Sequence, residues 1–438
     1  MKIDIRKSAL AILCEKEAAG KYINLAMSSH SLDAFNDKER AQLTSLVYTV
    51  TEKQICYDYI ISALSKRESD KIDFYTKNIL RLGIAQILDM RSIPDFAAVN
   101  ETVKLSRNIG ERRFVNGVLR AVVREKENLP LPDKSKNYKR YLSVKYSFPL
   151  WIVKHLSLLY GEGECEKILR RYNEARYTDL TVNTTKISVS DFLKLLADNG
   201  YTAEQNLDTG ISVRLDKSVN PERLPGFYEG YFFVQDRASL ISLSALSPER
   251  GDTVIDTCSA PGGKSFAAAI LMFDEGKVHS MELHESKLSL ISGGAERLGF
   301  SIVEPRVLDA TAPDITLFGT ADKVICDAPC SGLGVLGKKA DLRYKDKITL
   351  EALPELQYSI LNESAKYLKV GGELVYSTCT LNPAENEEIL SRFLAGNSHF
   401  QPVDFTVGSY KSEDGTLTLL PHTHQTDGFF VSKLKRIV

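Results

Sequence analysis

The sequence predicts a multidomain chain: an all-helical N-terminal domain, a small α/β module, and a doubly wound α/β domain. Three observations predict it. Apolar residues recur at helical spacing through about residue 127. The stretch Leu129-Pro130-Leu131-Pro132-Asp133-Lys134-Ser135-Lys136 then reads as a boundary. From about residue 239 strand-like and helix-like segments alternate, the pattern of a mostly parallel sheet covered by helices. The expected domains are 1–128, 140–235 and 236–438. With 438 residues, 43% hydrophobic and 26% charged, each has apolar material for a core of its own.

The helical stripes come in order. Leu10, Leu13 and Ile23 start the first, and Leu43, Leu46, Val47 and Val50 the next. Ile79, Leu80, Leu82, Gly83, Ile84, Ile87 and Leu88 form a strongly apolar helix. Pro94 stands where a first-turn proline is tolerated, opening a helix through Val99, Val103 and Leu105. Phe114, Val118 and Val122, with Val115, Leu119 and Val123, stripe a last helix. Core packing accounts for each of these faces.

Charge is unevenly spread. The whole chain carries a formal −1, which points to no polyanionic partner. Residues 101–145 hold twelve Lys or Arg against five Asp or Glu, a formal +7. A solvated face and a surface for a nucleic-acid backbone both fit that excess, because clustered cations release condensed counterions when they meet phosphates.

The middle of the chain changes period. Residues 148–175 read as helical. Asp179-Leu180-Thr181-Val182-Asn183-Thr184 alternates like a strand, Ser190 to Ala197 reads as a helix stopped by Asn199-Gly200, and Ile211 to Leu215 alternates again. Beyond it, strands are expected at Thr253–Cys258, Lys277–Leu283, Ile302–Leu308, Lys323–Asp327 and Glu373–Ser377. Helices are expected near 264–273, 285–298, 350–369 and 384–395. Open α/β sheets bind ligands outside the carboxyl ends of their strands, so the residues just past each strand carry the functional information.

After the first of these strands comes Cys258-Ser259-Ala260-Pro261-Gly262-Gly263-Lys264 and then a helix. Paired glycines let the backbone turn sharply and approach a ligand. The loop is neither GxGxxG nor GxxxxGK[ST], which disfavours a dinucleotide or a triphosphate. Acids recur along the same edge. Asp256 lies in the first strand. Glu282, at the end of the second, is placed to accept both ribose hydroxyls of an adenosine, and Asp309, after the third, to receive an adenine amino group. Asp327 ends the fourth.

Seven cysteines occur: Cys14, Cys56, Cys165, Cys258, Cys326, Cys330 and Cys379. None makes a CxxC pair, so no metal site is expected. Met1 to Gly20 lacks the apolar stretch of a secretion signal, and no apolar run approaches ~18 residues. A reducing cytoplasm, where thiols stay free, is the expected compartment, with no membrane association. A lone cysteine is usually a small core residue. Here two of them follow two strand ends, in Asp327-Ala328-Pro329-Cys330-Ser331-Gly332 and Ser377-Thr378-Cys379-Thr380.

These two motifs, with Ser259-Ala260-Pro261-Gly262-Gly263-Lys264, resemble the RNA (cytosine-5) methyltransferases. Gly230-Tyr231-Phe232-Phe233-Val234-Gln235-Asp236-Arg237-Ala238-Ser239, Asn382-Pro383-Ala384-Glu385-Asn386-Glu387 and Thr426-Asp427-Gly428-Phe429-Phe430 resemble the same family. The helical N-terminus, with Phe114-Val115-Asn116-Gly117-Val118-Leu119-Arg120, resembles an antitermination-type (NusB-like) RNA-binding domain. The combination looks like the bacterial members that act on 16S ribosomal RNA.

The resemblance implies a Rossmann-like catalytic domain, S-adenosyl-L-methionine as cofactor, and 16S ribosomal RNA as partner of a chain acting as a monomer. It implies that Cys258, Ser259, Ala260, Pro261, Gly262, Gly263, Lys264, Glu282, Asp309 and Asp327 hold the cofactor. The chemistry explains the thiols. Carbon 5 of cytosine is too weak a nucleophile to take a methyl from a sulfonium until a thiolate adds at carbon 6. A carboxyl near N3, the part given to Asp327, makes the addition easier, and a second thiol assists loss of the carbon-5 proton. The sequence itself leaves open which cysteine attacks. The resemblance assigns attack to Cys379 and product release to Cys330. Two other readings are an enzyme acting on a different RNA such as tRNA, and a non-catalytic RNA-binding, antitermination-like factor. The joint presence of Lys264, Asp327, Cys330 and Cys379 argues against the second.

Overall fold

Short polar side chains begin several helices of the N-terminal region by accepting from free backbone N–H groups. The computed structural model describes residues 4–30, 35–174, 177–345, 347 and 351–438. Asp4 caps α1 (Ile5–Ala19), and α2 (Ile23–Ser28) follows. Asn36 and Glu39 form a reciprocal capping box on α3 (Asp37–Glu52), which precedes α4 (Gln54–Ser65). Asp73 caps α5 (Phe74–Asp89). Pro94 is itself the cap of α6 (Asp95–Val103), which stops short of Leu105, and Asn108 caps α7 (Ile109–Arg124). Two further helices are α8 (Tyr138–Tyr146) and α9 (Leu150–Tyr172), the latter kinked at Gly161.

The strongly apolar helix of the sequence is α5, which packs on α1, α3, α4, α6 and α7. It also buries Arg81, whose guanidinium forks onto Asp58 at 2.7 and 2.6 Å and reaches Glu17 at 3.1 Å. A charge that deep persists only because its donors are met.

The chain forms two compact units, and the break does not fall at the proline-bearing stretch. Residues up to Asn173, with Lys339–Lys345, make the first; the rest make the second. Helices α8 and α9 thus fall in the first unit. The reason is packing: α8 lies against α4, and the Ser147 hydroxyl accepts from Ile55 N at 3.0 Å. In Lys339–Lys345, Arg343 is fully buried, 4.1 Å over the Phe148 ring, and donates to Glu52 O at 3.1 Å.

In the second unit, β1 (Thr178–Val182), β2 (Ala203–Asn206), β3 (Ser212–Leu215) and β4 (Phe232–Val234) form an antiparallel sheet, ordered β2-β3-β1-β4, with α10 (Val189–Asp198) between β1 and β2 in the chain. The alternation read in β1 is real, yet every residue of it is buried. Leu180 and Val182 enter the module's core. On the other face Asp179 takes both arms of Arg214, at 2.6 and 2.8 Å, and Thr181 donates to Gln235 at 2.9 Å.

The larger sheet follows: α11 (Arg237–Leu246), β5 (Thr253–Asp256), α12 (Gly263–Leu271), β6 (Lys277–Glu282), α13 (Glu285–Leu298), β7 (Val303–Val307), β8 (Ala321–Asp327), α14 (Leu353–Ala365), β9 (Leu368–Thr378) and α15 (Glu387–Gly396). Then come β10 (Phe400–Pro402), a two-stranded hairpin of β11 (Thr406–Val407) and β12 (Tyr410–Lys411), β13 (Thr416–Leu419), α16 (Pro421–His424) and β14 (Phe429–Arg436). The order is β10-β14-β9-β8-β5-β6-β7, with β13 also on β14. From β9 to β7 all pairs are parallel, so five carboxyl ends share one edge. The chain runs outward through β6 and β7 and returns to β8 beside β5, which makes the β5/β8 crevice the switch point. The antiparallel flank of β14, β10 and β13 is absent from the sequence reading. Among the described residues no helix is long and apolar enough to cross a membrane.

Candidate active site

Cys379 follows directly on β9, and Cys330 lies three residues past the end of β8. Because these strands are neighbours, with Asp327 opposite Ser377, the two loops leave the sheet side by side. The Sγ atoms stand 3.3 Å apart. The hydrogen bond to Cys379, and burial after it, push the Cys330 thiol well above the usual cysteine range. Either sulfur can donate to the other across that distance, so the two thiols titrate as a pair.

Asp327 joins this pair to the glycine loop. Its Oδ1 accepts from the Ser377 hydroxyl at 2.7 Å, and its Oδ2 from Lys264 Nζ at 2.6 Å. Lys264 is nearly buried; it also donates to Ser239 Oγ at 2.9 Å and sits 5.2 Å from the Phe429 ring centroid. The structure thus brings Lys264, Asp327, Cys330 and Cys379 to the adjacent ends of β5, β8 and β9. The sequence gives Ser239, Ser377 and Phe429 no role; the fold sets each against Lys264 or Asp327. Only the sheet order shows that Lys264 and Phe429 meet.

The rest of the loop is built for a sharp turn. Gly262 has φ +111°, and a Cβ there would stand 2.3 Å from the Phe266 ring, so glycine is required twice over. The Ser259 hydroxyl and amide both reach Met281 O on β6, at 2.9 and 2.8 Å. Ala260 is half-buried and Pro261 exposed. Burial pushes the Cys258 thiol well above the usual cysteine range. Asp256 is part of the support. It takes the Ser265 hydroxyl at 2.8 Å, Ser265 takes that of Ser280 at 2.8 Å, and burial pushes the Asp256 carboxyl up to about 7.

Two acids lie further along the edge. Glu282 is 7% exposed; its Oε1 accepts from His284 N at 3.0 Å and Lys287 Nζ at 3.2 Å. Among the described residues no donor reaches Oε2. A carboxylate with one oxygen anchored and the other open fits a ligand with vicinal hydroxyls. Asp309 is exposed and closes its own turn on Thr311, at 2.8 and 2.7 Å, bonds that hold its pKa below the usual value.

A third strand of contacts pins the Cys330 loop. Gly334 N donates to Cys379 O, and Gly428 N to Gly334 O, each at 2.9 Å. Lys338 then pairs with Asp236 and, at 3.0 Å, with Asp427. Burial and the charge of Asp236 push the Asp427 carboxyl up to about 7.

Comparison with known proteins agrees with this architecture. Residues 243–435 match the family described as 16S rRNA methyltransferase RsmB/F, 3–124 the NusB family, and 148–222 the ferredoxin-like domain of RsmF/B-like methyltransferases. The chain is 35% identical to a probable ribosomal RNA small subunit methyltransferase B of Bacillus subtilis, with 99% of each chain covered. It is 33% identical to the corresponding protein of Synechocystis, over 99% of this chain and 100% of that one. The crystal structure of PH0851 superposes at a TM-score of 0.81, with 25% identity and full coverage of both chains. NSun6 from Pyrococcus horikoshii with SFG shares the fold over 67% of this chain and 99% of its own, at a TM-score of 0.61 and 22% identity. A helical NusB domain, a ferredoxin-like module and a sheet whose neighbouring strands β8 and β9 deliver two facing thiols meet in one chain, and that chain belongs to the RsmB/F family of 16S rRNA methyltransferases.

Proposed function

We propose that the enzyme methylates carbon 5 of a cytosine in 16S ribosomal RNA, through a covalent bond between Cys379 and carbon 6. The observation that carries this reading is the pair of thiols 3.3 Å apart beside Asp327. Methyl transfer to oxygen or nitrogen needs no such pair, whereas addition and elimination at one ring use both. Cys379, the cysteine of the Thr-Cys motif, adds to carbon 6. Asp327, held by Ser377 and Lys264, takes the N3/N4 edge of the base and eases that addition. Carbon 5 then carries the electron pair that accepts the methyl group. Once Cys379 is a thioether, the hydrogen bond and the charge by which it raises the Cys330 thiol are gone. Cys330 is then free to ionise to solvent and take the carbon-5 proton, and the returning electron pair expels Cys379.

The residues at the β5/β8 crevice fit S-adenosyl-L-methionine, which supplies an activated methyl group on a sulfonium. Glu282 would hold the ribose hydroxyls, Asp309 the adenine amino group, and the backbone of 258–264 the remainder. A hydrogen bond to a charged group contributes about 1.5–3 kcal/mol. Calorimetry on Glu282→Ala should therefore show affinity for S-adenosylmethionine falling about tenfold or more. Unchanged affinity would remove Glu282 from the site.

The NusB-type unit supports an RNA partner. Arg112, Arg113 and Arg120 are exposed on α7, without ion pairs among the described residues. The test of the whole reading is methyl transfer to undermethylated 16S RNA, with tRNA in parallel and the modified base mapped. 5-Methylcytosine in 16S RNA alone is expected. Transfer to tRNA alone would move the substrate, and transfer to neither would leave the chain an RNA-binding factor.

A further inference from the structure

The sequence reading runs one helix through 384–395, but the structure breaks it. Pro383–Glu385 forms a single 3-10 turn, and α15 starts afresh at Glu387. Between them Asn386 takes φ −118° and ψ −96°, and both Glu385 and Asn386 are buried, 0% and 1% exposed. Burying a carboxylate and an amide is costly unless their bonds are met. Here they are met by the two cysteine loops.

Glu385 Oε2 accepts from Ser331 N at 2.8 Å and from Gln357 Nε2 at 2.9 Å. Gln357 Nε2 also donates to Pro329 O at 2.9 Å. The residues on both sides of Cys330 are thus held by Glu385, one directly and one through Gln357. Asn386 Oδ1 accepts from the Thr378 hydroxyl at 2.6 Å, and its Nδ2 donates to Thr380 O at 3.1 Å. Those are the residues on both sides of Cys379. The Ser331 and Thr380 hydroxyls close the arrangement at 2.6 Å. Strand pairing of β8 with β9 ends at Asp327 and Ser377, so beyond it these side chains, with the Gly334 N bond to Cys379 O, set where the sulfurs lie.

From this geometry we infer that Glu385 and Asn386 are positioning residues that divide the reaction between them: Asn386 aims Cys379 for attack, and Glu385 aims Cys330 for release. The inference rests on the covalent reading above. A purely structural role would fail to separate the two steps, because loss of folded protein lowers both by the same factor.

The test uses the full chain with 16S RNA and with the same RNA carrying 5-fluorocytosine, whose carbon-5 substituent cannot leave as a proton. Each variant is first checked for S-adenosylmethionine affinity within twofold of wild type. Asn386→Ala and Thr378→Val should slow adduct formation on the fluorinated RNA at least tenfold, and Thr378→Ser should restore it. Glu385→Ala should form the adduct at a near-normal rate, yet turn over at least tenfold more slowly on ordinary RNA and accumulate a species that survives a denaturing gel. If Glu385→Ala does not fold, Gln357→Ala, which frees Pro329 and removes one donor from Glu385, carries the same expectation. Equal losses in attack and turnover for every variant, or wild-type behaviour in folded variants, overturn the inference. No adduct from wild type on the fluorinated RNA would sink the covalent reading itself, and this division of labour with it.

Discussion

Cys330→Ala is expected to leave the enzyme joined to its RNA, and Cys379→Ala to form no adduct and transfer no methyl group. The two substitutions remove sulfurs only 3.3 Å apart, yet they act on opposite sides of methyl transfer. Without Cys379 nothing adds to carbon 6, and activity should fall about a thousandfold or more, as when a covalent nucleophile is removed elsewhere. Without Cys330 the attack proceeds, but the carbon-5 proton has no base. General-base assistance contributes about 10²–10⁴-fold, so release should slow by that order and a covalent RNA–protein species should build up. Denaturing electrophoresis reads both outcomes on one gel. Asp327→Asn should trap little, since it impairs attack. An adduct from Cys379→Ala and none from Cys330→Ala would reverse the assignment.

Gly334→Ala is expected to be nearly as damaging, although Gly334 carries no chemistry. A Cβ there would lie 1.9 Å from Gly428 O and 2.8 Å from Cys379 O. Both are backbone atoms, so no side chain can swing aside, and the clasp of Gly334 with Cys379 and Gly428 has to open. Overpacking of this kind costs about 1–3 kcal/mol of stability. The larger effect falls on rate, because a displacement of about 1 Å at a reacting group costs on the order of a hundredfold. Gly293→Ala is the control. Gly293 lies exposed within α13 with nothing within 4 Å of the added carbon, so the change should raise stability by about 0.5–1 kcal/mol. Thermal unfolding and the rate of adduct formation measure both. Wild-type adduct formation by Gly334→Ala would show that the loop has slack the clasp does not suggest.

Much of the architecture was legible in local pattern. The helix read at 285–298 is α13, Glu285–Leu298, since its periodicity and its Gly299 stop are written in neighbouring residues. The parallel strands were found within a few residues of their ends because short apolar runs between turn residues say little else. The motifs at those ends located the residues of the site, and for a simple reason. In a parallel sheet every strand delivers its carboxyl end to the same edge.

Pairing across long stretches of chain was not legible. Nothing near Lys264 in sequence says that its ammonium reaches Asp327, or that Phe429 lies against it. Strand β14 reads as an isolated run, and only its antiparallel partner β9 gives it a place. The break at Asn386 interrupts a segment whose composition favours helix, because two buried side chains serve the cysteine loops instead of solvent. The same rule covers the thiols. The sequence by itself determined that two cysteines would leave two strand ends, since strand and turn are decided by residues a few positions apart. That those sulfurs can touch was decided by β8 and β9 being neighbours, a choice made by burial across the whole sheet.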